Sequence, residues 1–336
     1  MNMKTFSISK KMTRVSSLLF FLLLAALFAG LSVGSTGGGL KWVWQALSGE
    51  QEAGSVQQAI IWQIRFPRVL LAILVGATLS LGGLVFQAIL RNPLAEPYIL
   101  GVSGGAAIGA IIGILAGLSR FPGVSLAAFA GSIATLVLIL GMSSGQSILK
   151  RDSLLLSGVM VNAFCSAVIM FLITMAGDTG IHSIIFWLMG DFSMVETGHV
   201  MVLAAMLFPC FIIIFCFSNH MNLLLLGKEM AQSMGVNTKR VTLALLVVTS
   251  LMVSVTVSHC GLIGFVGLVV PHLLRLVFGS DHRILVPACV LGGGAYMVLC
   301  DLLARSLPQQ GEMPAGVITA MIGAPLFILL LKKSGR

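Results

Sequence analysis

Ser218-Asn-His-Met-Asn-Leu-Leu-Leu-Leu-Gly-Lys-Glu-Met-Ala-Gln-Ser-Met-Gly-Val-Asn-Thr-Lys-Arg240 is a polar island between two apolar runs, Met201–Phe217 and Val241–Val257. Each run has the length of a helix that crosses a bilayer. The island is too long for a tight turn and too short for a domain. Gly227 and Gly235 interrupt it, and Lys228–Met234 between them has room for about two helical turns. Met230, Ala231 and Met234 read as one face of that short helix, with Lys228, Glu229, Gln232 and Ser233 elsewhere. A short amphipathic helix held between two spans is a place for a partner to dock. An ordinary solvated loop is the other reading that the spacing allows.

The same pattern repeats along the chain. Of 336 residues, 57% are hydrophobic and 9% charged, with a mean hydropathy of +1.04, whereas a soluble domain carries about 25% charged residues. The chain reads as an all-α polytopic membrane protein, one transmembrane domain over 1–336. Ten spans are expected, near 15–34, 68–90, 99–118, 123–141, 153–176, 200–217, 241–260, 262–278, 284–304 and 314–332. The boundary near Cys260–Gly267 is the least regular, because Gly261, Gly264 and Gly267 interrupt it. The basic start, with Lys4, Lys10, Lys11 and Arg14 before the apolar run Val15–Leu31, resembles a secretory signal; with nine more runs behind it, it reads as an uncleaved first span.

Lys and Arg orient the spans. With the N-terminus cytoplasmic, the inside segments hold 15 of the 20 Lys and Arg, and the outside segments hold Lys41, Arg65, Arg68, Arg120 and Arg305. Ten spans then put both termini and the 218–240 island in the cytoplasm. The net charge of +9 follows this asymmetry and does not point to nucleic acid. Trp42, Trp44 and Trp62 in the outer segment 35–67 suit interfacial anchoring. The outer segment 177–199 has room for a short helix around Ile181–Met189.

Gly101, Gly105, Gly109, Gly113 and Gly117 recur every fourth residue, a ridge without side chains on which a neighbouring helix can close. Pro209, Pro271, Pro287 and Pro325 fall in or beside spans, where they bend or break helices. The six cysteines form no Cys-x-x-Cys pair and read as small buried hydrophobes. Charges inside spans are few. Asp301 stands four residues from Arg305, the spacing of a helical ion pair. His259 and His272 flank the glycine-rich break and read first as hydrogen-bonded structural residues. Glu96 is expected in a short inner loop, Arg91–Pro97, at the membrane edge. There is no phosphate-binding loop, nucleophile elbow or zinc-binding helix motif. Nor is there the buried acidic relay of a proton-coupled carrier. A pump built on this chain takes its energy from another subunit. An ion-coupled secondary transporter would need a buried ionisable pair near mid-membrane, and an intramembrane enzyme would need a catalytic constellation.

Several long motifs carry a resemblance. They are Arg65-Phe-Pro-Arg68; Gly83-Leu-Val-Phe-Gln-Ala-Ile-Leu-Arg-Asn-Pro-Leu-Ala-Glu-Pro97; Leu100-Gly-Val-Ser-Gly-Gly-Ala106; Leu226-Gly-Lys-Glu-Met-Ala-Gln-Ser-Met-Gly-Val236; Gly264-Phe-Val-Gly-Leu-Val-Val-Pro-His-Leu-Leu-Arg275; Asp281-His-Arg283; and Glu312-Met-Pro-Ala-Gly-Val-Ile-Thr-Ala-Met-Ile-Gly-Ala-Pro-Leu-Phe327. In this order the chain resembles the FecCD family, permeases of type II ABC importers for ferric siderophores, haem and vitamin B12. The resemblance implies the ten-helix permease fold in a bacterial cytoplasmic (inner) membrane. It implies a cytoplasmic ABC ATPase dimer that holds the ATP and Mg, a periplasmic or lipid-anchored substrate-binding protein, and a second permease copy, here a homodimer. The cargo is a metal chelate, with a ferric siderophore expected first and haem or cobalamin as alternatives. No cofactor, metal ligand or catalytic residue is expected in this chain.

Residue by residue, the resemblance assigns ATPase coupling to short helices near 221–234, with Leu226, Gly227, Lys228, Glu229, Met230, Ala231, Gln232, Ser233, Met234 and Gly235. Lys228 departs from the acidic residue that relatives often carry there. Arg65, Arg68 and Arg305 match outward-facing arginines that meet carboxylates of the binding protein; snorkelling to lipid phosphate is the other reading, and Arg305 also has Asp301 within reach. Asn92, Leu94, Arg151 and Asp152 match the cytoplasmic gates. Ser157, Asn162 and Ser166, with Thr174, are the mild polar groups of the fifth span, expected either to line the pathway or to hydrogen-bond within the bundle.

Overall fold

The computed structural model describes residues 2–34, 39–48, 55–142, 151–193, 195–308 and 311–334, and among them all regular structure is helical. The helices are α1 (Asn2–Ser32), α2 (Leu40–Ser48), α3 (Val56–Ala59), α4 (Phe66–Leu90), α5 (Val102–Leu115), α6 (Ser125–Met142), α7 (Arg151–Thr174) and α8 (Asp178–Leu188). They continue with α9 (Thr197–Cys216), α10 (Ser218–Leu225), α11 (Lys228–Ser233), α12 (Thr238–Cys260), α13 (Val266–Phe278), α14 (His282–Ser306) and α15 (Ala315–Ser334). Seven helical stretches are long and apolar enough to cross a membrane, and three shorter apolar helices, Val102–Leu115, Val266–Phe278 and Ala315–Leu329, complete the ten expected from the sequence. The second stretch starts earlier than expected: a π-helical turn, Ile60–Arg65, joins α3 to α4, so helix runs from Val56 to Leu90.

The chain forms two compact units. The first comprises Met1–Leu81, Asp191–Pro209 and Gly264–Arg336. Here α1 lies along α14, and α13, α14 and α15 pack together. Gly76 and Gly293 let α4 and α14 touch backbone to backbone; a methyl group on either would strike the other's carbonyl. The second unit comprises Gly82–Gly190 and Cys210–Ile263. Its centre is α5 against α6. The glycine ridge serves this contact: Gly105 meets Gly131 and Thr135, and a Cβ on Gly109 would collide with the Ala127 carbonyl. Helix α12 joins α6 through Ser132 and Ser254, whose hydroxyls are 2.6 Å apart.

Two segments depart from plain spans. Residues 91–101 form the first, turning back on the helix that precedes them. Pro97 packs against Gly82, beside Thr249 and Val253 of α12. Gly82 is eight residues, or about 12 Å of helix, from the end of α4, so the chain folds back along α4 before α5 begins. This leaves α5 only 14 residues, about 21 Å, short of a core of about 30 Å. Irregular backbone within a membrane survives where protein covers it, and Ala95, Pro97 and Leu100 are buried. The second departure follows α12, which ends on Gly261 at φ 76°. Helix resumes only at Val266, after Phe265 in the left-handed region at φ 68°. The irregularity read from the glycines at 261–267 is thus confirmed, and the eighth span starts four residues later than expected.

Candidate functional site

The island 218–240 folds as two short helices. Helix α10 ends at Leu225, Gly227 turns the chain at φ 115°, and α11 follows. Gly235, at φ 84°, ends α11, with its N–H donating to the Gln232 carbonyl and that of Val236 to the Ala231 carbonyl. Both turns use backbone angles that only glycine adopts at little cost. Buried Met221, Leu224, Ala231 and Val236 fix the pair to its own unit. Gln232 Nε2 donates to Thr238 Oγ1 at 3.4 Å, and Asn237 Oδ1 caps α12 by accepting from the Arg240 N–H at 3.1 Å.

One expectation is corrected here. Met230, Ala231 and Met234 do not share a face. Ala231 is fully buried, whereas Met230 and Met234 are 54% and 58% exposed. At about 100° per residue, positions 230 and 234 align and 231 lies at the edge of their arc, where the fold covers it. Leu226, 60% exposed, continues the outward face. The exposed side therefore has large apolar residues ringed by exposed Lys228, Glu229, Gln232 and Ser233, the anatomy of a protein interface.

The arginines are arranged in the opposite way. Arg65, Arg68 and Arg305 are all buried. Arg68 Nε lies 2.9 Å from Asp301 Oδ1 and its Nη1 is bonded to Glu312. Arg305 Nε lies 3.0 Å from Asp301 Oδ2, the pair that the four-residue spacing allowed. Arg65 Nη1 donates to the Leu31 carbonyl at 2.8 Å and Arg305 Nη2 to that of Gly30 at 3.2 Å. These carbonyls belong to the last turn of α1, where a helix leaves acceptors unfilled and favours cations. The outward-facing position implied by the resemblance is therefore corrected: the guanidiniums turn inward, because a buried carboxylate and an uncapped helix end supply better partners than open solvent. Sequence reasoning missed the Arg68–Asp301 and Arg68–Glu312 pairs; the signal was that Asp301 inside an apolar span required a counter-charge.

Asn92 and Leu94 belong to the fold-back segment. Asn92 Oδ1 accepts from the Leu94 N–H at 2.9 Å, a local turn that holds Leu94 outward. Arg151 and Asp152 begin α7, and their side chains lie outside the described residues. Further along α7, Asn162 and Ser166 are exposed among Val159, Met160 and Phe164. Ser166 Oγ donates to the Asn162 carbonyl at 2.9 Å, and Ser157 is half-buried. His259 Nδ1 lies 2.8 Å from the Val255 carbonyl, the hydrogen bond expected of it, whereas the His272 ring stands edge-on to Phe327 with its buried Nδ1 unpartnered among the described residues.

Ten apolar helices, two exposed short helices between spans and a fold-back before a shortened α5 agree with a permease of the type II ABC importer class. The FecCD transport family model matches residues 22–333, and the chain belongs to that family. Among curated proteins, the vitamin B12 import system permease protein BtuC of Salmonella arizonae is 40% identical, covering 100% of this chain and 99% of that one. BtuC of Salmonella typhimurium is 38% identical over 99% of this chain and 100% of its own. Among solved structures, a metal-chelate type ABC transporter in an inward-facing conformation superposes with a TM-score of 0.86 at 33% identity, covering 96% of this chain and 99% of that one. PsaBC from Streptococcus pneumoniae, at 19% identity and a TM-score of 0.58, shares the fold over 85% of this chain and 94% of its own.

Proposed function

We propose that the chain carries a corrinoid of the vitamin B12 class across a bacterial cytoplasmic membrane. The observation behind this reading is the 40% identity, end to end, with a vitamin B12 permease. The vitamin B12 permeases among its relatives favour a corrinoid over the ferric siderophore first expected from sequence, and a corrinoid, itself a cobalt chelate, keeps the metal-chelate class. The permease works as a pair of copies. A cytoplasmic ATPase dimer binds ATP and Mg, and Leu226, Met230 and Met234 supply the apolar contact on which it docks. A binding protein delivers cargo on the opposite side. Arg65, Arg68 and Arg305, all buried, brace that outer surface from beneath, and the partly exposed Glu312 carries their cluster to the surface on which the binding protein docks. Asn92 and Leu94, with Arg151 and Asp152, form the cytoplasmic gates. Ser157, Asn162 and Ser166 line the passage; exposed polar groups on a span suit a watered pathway better than lipid.

The test is uptake into proteoliposomes holding this chain, its ATPase and its binding protein. Radiolabelled cyanocobalamin accumulates with ATP and fails to accumulate when the ATPase is omitted. Hydrolysis with no corrinoid uptake, and uptake of a ferric siderophore instead, would overturn the substrate.

A further inference from the structure

The fold-back segment 91–98 starts beside the turn between the short helices and is bonded at its end to the connector beyond α12, all within the second unit. At its start, Arg91 Nη1 lies 3.8 Å from the position a Cβ would take on Gly227, the turn between α10 and α11. At its end, the Tyr98 hydroxyl clips the chain beyond α12. It donates to the Ile263 carbonyl at 3.0 Å and accepts from the Ile263 N–H at 3.2 Å. One side chain thus satisfies both backbone groups of a residue that neither α12 nor α13 includes. The connector it grips is stiff. Gly261 has no room for a Cβ, which would strike the Trp187 carbonyl, and Gly190 packs on Leu262 and Ile263. Helix α12 is a continuous rod of 23 residues between α11 and this connector, so a displacement at its start arrives at Ile263 with little loss.

We propose that Tyr98 is a positioning residue that couples the motor to the gate. Through it, movement of α10 to α12 is passed to Asn92 and Leu94, six and four residues before it in the chain. The inference rests on the docking and gate assignments made under the proposed function. Tyr98 touches neither cargo nor nucleotide; it acts by keeping the fold-back segment in register with α12. Its ring reaches across from the segment, and its hydroxyl alone makes the two bonds.

The experiment uses Tyr98→Phe, which keeps the ring and removes both bonds. The chain and its ATPase, in lipid nanodiscs, are compared without nucleotide and with ATP plus vanadate by amide hydrogen exchange. With Tyr98 present, ATP plus vanadate alters exchange both at 236–240 and at 92–95. In the Tyr98→Phe variant the response at 236–240 persists, showing an assembled and driven transporter, while that at 92–95 is lost. In proteoliposomes that also hold the binding protein, uptake per ATP hydrolysed falls about tenfold in the variant, as loss of one or two hydrogen bonds implies. An equal response at 92–95 in both proteins overturns the coupling role. Absence of any response at 92–95 with Tyr98 intact overturns the gate assignment, and the coupling role with it. Loss of both responses in the variant marks Tyr98 as structural and also overturns the proposal.

Discussion

The arginine cluster and the two short helices reward opposite readings of surface chemistry. The cluster has the charges that suggest a partner, yet Arg68, Arg305 and Asp301 are buried on one another and Arg65 caps α1. The short helices offer uncharged methionines, yet Met230 and Met234 lie outward on a polar segment. A charge that has found its counter-charge inside the chain contributes to the fold first. An apolar side chain left in water is the better mark of a missing partner. Glu312 stands between the two cases: it bonds Arg68 but keeps about a third of its side chain exposed, 32%.

Substitutions separate the two kinds of site, starting with the largest effect. Arg68→Ala leaves Asp301, which is fully buried, facing only Arg305. It is expected to cost about 3–5 kcal/mol, read as a loss of thermal stability in detergent, while the ATPase still binds whatever protein survives. Joint replacement of the whole buried triad, Arg68→Met with Asp301→Leu and Arg305→Met, is expected to recover much of that loss. Next, Gly109→Ala presses a methyl group into the Ala127 carbonyl and is expected to cost about 1–3 kcal/mol in the same assay. Glu312→Gln removes a partly exposed charge and is expected to cost about 1 kcal/mol or less; a cost as large as that of Arg68→Ala would mean that Glu312, and not Asp301, anchors the cluster. Asn92→Ala removes one exposed turn bond. It is expected to change stability by about 0.5 kcal/mol, with any larger consequence confined to transport.

The ten spans were legible because a bilayer demands long apolar runs with their backbone bonds made internally, and both conditions are written locally. The glycine ridge was legible for the same reason, since one residue in four fixes one helix face. The fold-back of 91–101 was not, because it depends on Pro97 finding Gly82 and α12, contacts that no local pattern encodes. The arginine pairs were hidden by distance along the chain: Arg68 and Asp301 are 233 residues apart. Tyr98 was invisible because its partners are backbone groups of Ile263, and any residue could stand there. Grouping Ala231 with Met230 and Met234 failed on packing: the three fall within about 100° of helix surface, and only the tertiary fold decides that Ala231, at the edge of that arc, is covered.

The claim that an external motor docks on the exposed face of α10 and α11 is tested most directly by its affinity. The cognate ATPase dimer is titrated onto the chain in lipid nanodiscs, native or carrying Met230→Glu with Met234→Glu. Both side chains are exposed, so the double variant retains its stability, and ATPase affinity is expected to fall at least about tenfold. Unchanged affinity in a stable double variant would contradict the account.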